Sequence, residues 1–142
     1  MDRRSDLVET LSRLSLFADL TQPQLEEVAH ATDEELFEEG RRILRENLSG
    51  SGLFFVLEGE VSVMLAGREL ARLGRGEFFG EISVLLGTPP MADVVAASLV
   101  RCLVVPQPDV ERFLVERPRI LYRMFQAEAR RLRAAEQRAA ES

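Results

Sequence analysis

Phe79-Gly80-Glu81-Ile82-Ser83-Val84-Leu85-Leu86-Gly87-Thr88-Pro89-Pro90-Met91-Ala92-Asp93-Val94-Val95-Ala96 is the stretch on which the reading of this chain turns. Gly80 stands where a strand gives way to a helix, and Phe78 and Phe79 before it point to opposite faces of the sheet. A glycine at such a junction lets another backbone come close. A helix beginning near Glu81 or Ile82 presents unpaired N–H groups and the positive end of its dipole, which suits an anion. Glu81 is favourable at that helix start whether or not a ligand binds. Ala92-Asp93-Val94-Val95-Ala96 then returns to strand.

On both sides of this stretch the apolar period is two, from about Glu34 to Val105. Val61, Val63 and Leu65 alternate with Ser62, Met64 and Ala66, and Gly67-Arg68 turns the chain toward Glu69–Leu73. Phe54-Phe55-Val56-Leu57 is apolar without a break, as expected of a strand buried on both faces. Glycines at 40, 50, 52, 59, 67, 74 and 76 punctuate short strands, which indicates an antiparallel barrel or jelly roll. Helical spacing frames it. Leu7, Leu11 and Leu14 follow Ser5 as a candidate cap, and Thr21 caps a second helix with Pro23 in its first turn and Leu25 and Val28 buried. After Pro106 a short helix carries Val110, Phe113 and Leu114, and Pro118 ends it. A longer helix follows from about Arg119 to Arg138, with a stripe of Leu121, Phe125, Leu132, Ala135 and Ala139 interrupted by Glu128. The expected class is mainly β with flanking helices, in one domain over 1–142: helices over about 5–31, barrel over about 33–106, helices over about 107–140.

Four further segments bear on family. Phe37-Glu38-Glu39-Gly40-Arg41-Arg42-Ile43-Leu44-Arg45-Glu46 is followed by Gly50-Ser51-Gly52-Leu53-Phe54-Phe55-Val56-Leu57-Glu58-Gly59-Glu60-Val61. Leu73-Gly74-Arg75-Gly76-Glu77-Phe78-Phe79-Gly80 leads into the opening stretch, and Ser15-Leu16-Phe17 stands before the barrel. Together these resemble the cyclic-nucleotide-binding domain family over residues from about 15 to 117, the opening stretch matching its phosphate-binding cassette. Asn47 replaces the glycine after Glu46, and Asn tolerates the same left-handed geometry. The resemblance implies a jelly-roll barrel with an N-terminal helical segment and a C-terminal helix. It implies cyclic AMP or cyclic GMP as ligand, held by Gly80, Glu81, Ile82, Ser83, Pro90, Met91 and Ala92. In the family the residue aligned with Glu81 accepts a ribose hydroxyl, and an Arg grips the cyclic phosphate. That Arg position is Pro90 here, so the charge and the backbone donor are both gone, and Met91 replaces the small polar residue that often follows. Arg75 or Arg101 is the candidate to reach in from another strand.

Composition narrows the alternatives. The 142 residues are 46% hydrophobic and 30% charged, as in a soluble globular protein with one core. No apolar run reaches the ~20 residues of a spanning helix, and the N-terminus lacks the apolar core of a signal peptide, so a cytoplasmic address and no membrane partner are expected. A net charge of −6 argues against non-specific nucleic-acid binding. No helix-turn-helix follows the last helix, as it does in the catabolite-activator branch, so direct DNA recognition is not expected of this chain. All 18 basic residues are Arg, which removes Walker A, Schiff-base and kinase-lysine chemistry. One Cys and one His, Cys102 and His30, offer neither a disulfide nor a zinc site nor a catalytic Cys-His or Ser-His-Asp set. Cys102 reads as a small buried hydrophobe and His30 as a helix-end residue.

Gly74-Arg75-Gly76-Glu77-Phe78-Phe79-Gly80 has one residue too many for a dinucleotide fingerprint and sits among antiparallel strands. Ser49-Gly50-Ser51-Gly52 has the composition of an anion-binding nest, but a mobile hairpin loop accounts for it better; Asp33-Glu34-Glu35 and Glu38-Glu39 read as a solvated face. The function expected is a non-enzymatic regulatory module with weak or lost cyclic-nucleotide binding. The alternatives are a working cyclic AMP or cyclic GMP sensor and a structural interaction domain. The C-terminal stripe makes a homodimer the expected assembly, although Glu128 and the short length spoil a coiled-coil seam.

Overall fold

The computed structural model describes residues 3–48 and 52–141, so the Ser49-Gly50-Ser51 reading lies outside the described residues. The chain enters through α1 (Arg3–Ser12), a 3₁₀ turn (Ser15–Phe17) and α2 (Gln22–Ala31). Eight strands follow: β1 (Asp33–Phe37), β2 (Arg42–Leu44), β3 (Gly52–Glu58), β4 (Val61–Leu65), β5 (Arg68–Leu73), β6 (Phe78–Phe79), β7 (Asp93–Ala96) and β8 (Val100–Pro106). α3 (Glu81–Leu86) interrupts them between β6 and β7, and α4 (Val110–Val115) and α5 (Pro118–Glu141) close the chain. Every pairing is antiparallel, in two four-stranded sheets of order β1-β8-β3-β6 and β2-β7-β4-β5. This is the mainly β jelly roll with helices at both ends that the sequence leads one to expect.

Within the first sheet, β3 is buried on both faces. Its alternate residues Leu53, Phe55 and Leu57 join Leu11, Phe17 and Ile120 in a core under the helices. Phe54 and Val56 face the second sheet with Phe79, Val94 and Cys102. Phe78 and Phe79 split between these two cores as period two requires, and Phe54 stacks on Phe79 at 4.8 Å. Burial raises the Cys102 thiol to about 12, so it serves as a packing residue and not a thiolate.

Local signals fare unevenly. Thr21 caps α2 in a reciprocal pair with Gln24. α1 begins at Arg3, so Ser5 lies inside the helix and does not cap it. The β4–β5 turn is centred on Ala66 and Gly67, both with positive φ (52° and 77°), and Arg68 already belongs to β5. Ser62 breaks the alternation of β4: it is buried beside Val61, and its hydroxyl donates to Glu69. Glu34 leaves the solvated face to pair with Arg101. Pro118 starts α5; it does not merely end α4.

The C-terminal helix departs most from expectation. Ile120 and Met124 are its buried residues and Ala127 packs with them, a face one residue removed from the Leu121 stripe. Leu121, Phe125 and Leu132 are exposed at 40%, 73% and 61%, so the stripe is not the face by which the helix packs on the barrel. Among the described residues no helix is long and apolar enough to cross a membrane.

Candidate functional site

β6 ends at Gly80 because nothing else fits there. Its φ is +89°, and an added Cβ would stand 2.3 Å from the Gly52 carbonyl oxygen of the neighbouring strand. Gly80 thereby becomes the residue that starts α3, and Gly87, also left-handed, ends it one and a half turns later. The following loop is fastened to the barrel at its far side. The Asn47 N–H, in a residue with φ +64°, donates to the Pro90 carbonyl at 3.0 Å, and the Glu46 N–H donates to the Asp93 carboxylate at 2.7 Å. Pro90 is buried while Met91 is 79% exposed.

α3 and this loop cover the face of the second sheet and enclose a cavity of about 280 Å³. All seven residues singled out from the sequence line it: Gly80, Glu81, Ile82, Ser83, Pro90, Met91 and Ala92. The walls are Leu44, Val63, Leu73, Phe79 and Val94 from strands, so the cavity is mainly apolar. Its polar edge lies at the start of α3, where Glu81 and Ser83 are buried. The volume is at the small end of the range for small-molecule sites, roughly 300–1,000 Å³.

Among the lining residues that the sequence reading missed, Arg131 is the charged one. Arg131 of α5 borders the cavity and donates to Glu81 at 3.3 Å, to Glu128 at 2.9 Å and to the Phe78 carbonyl at 2.8 Å. Its guanidinium also lies 4.3 Å over the Phe78 ring. A signal for it existed: Ile120, Met124, Ala127 and Arg131 fall at i, i+4, i+7 and i+11, so Arg131 extends the packing face of α5. Glu81 therefore turns toward α5 and is not left without a cation. Burial first, then its hydrogen bond and charge repulsion with Glu128, raise its pKa to about 8, with Arg131 opposing them.

The two arginines named as substitutes lie elsewhere. Arg101 points to the helix side of β8, where Asp6, Glu34 and Glu58 hold it. Arg75 lines a separate groove with Arg13 and Arg130. Among the described residues no cluster of His, Cys, Asp or Glu could hold a metal ion.

A family model for the Cyclic nucleotide-binding domain matches residues 34–117. Over 102 residues, 68% of the chain, there is 32% identity with the cGMP-dependent protein kinase egl-4 of Caenorhabditis briggsae, and the match spans only 14% of that kinase. The catabolite activator protein of Thermus thermophilus superposes with a TM-score of 0.76 at 29% identity, over 87% of this chain and 61% of that one. The regulatory subunit of a cAMP-independent protein kinase A from Trypanosoma brucei superposes with a TM-score of 0.64 at 25% identity, over 88% of this chain and 52% of that one. That structure is a mutant with three substitutions, one of them to arginine, bound to cAMP in its A site.

Proposed function

This chain belongs to the cyclic nucleotide-binding domain family, and we propose that it acts as a non-catalytic regulatory module whose cavity holds cyclic nucleotide weakly. One observation carries this reading: Pro90 occupies the phosphate-gripping position in a loop that lines the cavity, with neither charge nor N–H to offer. The one guanidinium at the cavity among the described residues, Arg131, is already committed to Glu81, Glu128 and Phe78. A hydrogen bond to a charged group contributes about 1.5–3 kcal/mol, or about ten- to a hundredfold in affinity. The trypanosomal relative points the same way. It is described as cAMP-independent, and it is seen with cAMP in a mutant to which an arginine has been added. An apolar cavity with a buried, partly protonated carboxyl suits a small ligand of low charge better than a cyclic phosphate.

A second reading has its own support. A working cyclic AMP or cyclic GMP sensor would use Arg131, which already borders the cavity, once a phosphate drew it from Glu81. Calorimetric titration of the purified protein with cyclic AMP and with cyclic GMP separates the two. Weak or absent binding is expected, and a dissociation constant in the low-micromolar range or tighter overturns the main reading. The module is also expected to pair through α5, since Leu121, Phe125 and Leu132 are exposed on one side of that helix. Light scattering tests this: a mass near 16.0 kDa rules the pairing out.

A further inference from the structure

A second concavity of about 610 Å³ lies apart from the cassette, between the Ser15–Phe17 turn, the turn before β6, and α5. Arg13, Arg75, Arg130 and Arg131 line it, drawn from three separate parts of the chain. In a protein of net charge −6, arginines find carboxylates easily, and nine of the described ones do. Arg101 has three, Arg117 has two, and Arg119 and Arg123 share Asp19. Among the described residues, Arg75 and Arg130 have no ion-pair partner. Arg13 holds only Glu9 on its own helix at 2.6 Å, an exposed pair worth a few tenths of a kcal/mol that a stronger anion displaces readily. The one carboxylate in the lining, Glu77, accepts from the Gly74 N–H at 2.9 Å. Gly76, Ala127 and Ala134 are small and leave the floor open.

We propose that this groove is an anion site for a small phosphorylated ligand with two or more negative charges, bridged between Arg75 on one wall and Arg130 on the other. Guanidinium forks match phosphate oxygens in pairs, and two unpaired forks on facing elements suit a diphosphate better than a single carboxylate. The volume accommodates a nucleotide-sized molecule. The site is distinct from the cassette cavity but shares the Arg131 side chain as a common wall, so charge placed in the groove is felt by Glu81.

Inorganic pyrophosphate is the probe, titrated calorimetrically at low and at physiological ionic strength. One saturable site is expected, weaker at the higher salt. Arg75→Ala with Arg130→Ala should weaken it by at least about tenfold. Arg133→Ala with Arg138→Ala removes the same charge from α5 outside the groove and should change affinity less than about threefold. No saturable binding at millimolar pyrophosphate overturns the proposal. So does an equal loss in the two double variants, which would mark diffuse attraction. A glutamate-rich peptide that binds the groove more tightly than pyrophosphate overturns the assigned ligand class. Arg75 and Arg130 are exposed, so an unchanged melting temperature accompanies the expected result.

Discussion

The two ends of the cassette have had different fates. Its beginning, Gly80 to Ser83, keeps every feature that the backbone demands: the left-handed glycine, the close pass over Gly52, the buried carboxyl at the helix start. Its end, Thr88 to Ala92, is fastened through the Asn47 N–H to the Pro90 carbonyl and carries no cation of its own. The first set is enforced by packing, which any folded member must satisfy. The second is held by a single backbone hydrogen bond to Pro90, and no contact of the barrel calls for a charged side chain there.

The largest expected effect tests the enforced end. Gly80→Val places a branched side chain at φ +89° and against the Gly52 carbonyl. It should cost about 3 kcal/mol or more and lower the melting temperature by roughly 10 °C. An unchanged melting temperature would erase the contrast between the two ends.

Next comes the buried carboxyl. The folded pKa of Glu81, about 8, lies above its ordinary value of 4.5. Its contribution is thus fully present below pH 4.5 and is lost as pH rises through 8. Stability should fall by a few kcal/mol across that window, at most about 1.4 kcal/mol for each pH unit between the two pKa values. Glu81→Gln should flatten the profile in urea denaturation. Arg131→Ala removes the cation that opposes the shift, so the decline should begin at lower stability and steepen. A Glu81→Gln profile that still falls in parallel with the parent locates the titration elsewhere.

Pro90→Arg sharpens the comparison from the ligand side. If the loop attached through Asn47 retains its path, cyclic AMP affinity should rise by about tenfold or more. No gain by calorimetry would mean that the loop has been rebuilt and not simply stripped of charge. The smallest effect on stability belongs to Leu132→Glu, within about 0.5 kcal/mol at an exposed position. Its readout is mass: a dimer that this change converts to about 16.0 kDa supports pairing through α5.

Much of this was legible from residue order alone. The unbroken apolar run of β3 foretold its double burial, Thr21 and Pro23 foretold the start of α2, and the left-handed angle at Asn47 followed from its place after Glu46. These signals are local, arising from neighbours within a turn or a pleat. The errors share the opposite cause. The α5 stripe was drawn through its larger apolar residues, yet the helix lies on the barrel through Ile120, Met124 and Ala127. Leu121 and Phe125 are as apolar as the residues that pack, and their exposure depends on the angle at which α5 crosses the barrel.

Sequence by itself determined the jelly roll, the junction at Gly80 and a loop from Thr88 to Ala92 without a cation, because strand period, glycine and proline act through the covalent geometry of their own segment. Only the tertiary structure decided what Glu81 faces. It accepts from Arg131, fifty positions away, because β6, α3 and α5 converge there, and no local pattern carries that distance. Packing likewise holds Arg101 against Asp6, Glu34 and Glu58 on the helix side of the first sheet and leaves Arg75 and Arg130 lining a groove without ion-pair partners among the described residues. Charges within one segment can be counted in advance. Which of them are buried together depends on how the segments pack, and in a low-dielectric interior that packing sets their protonation and their chemistry.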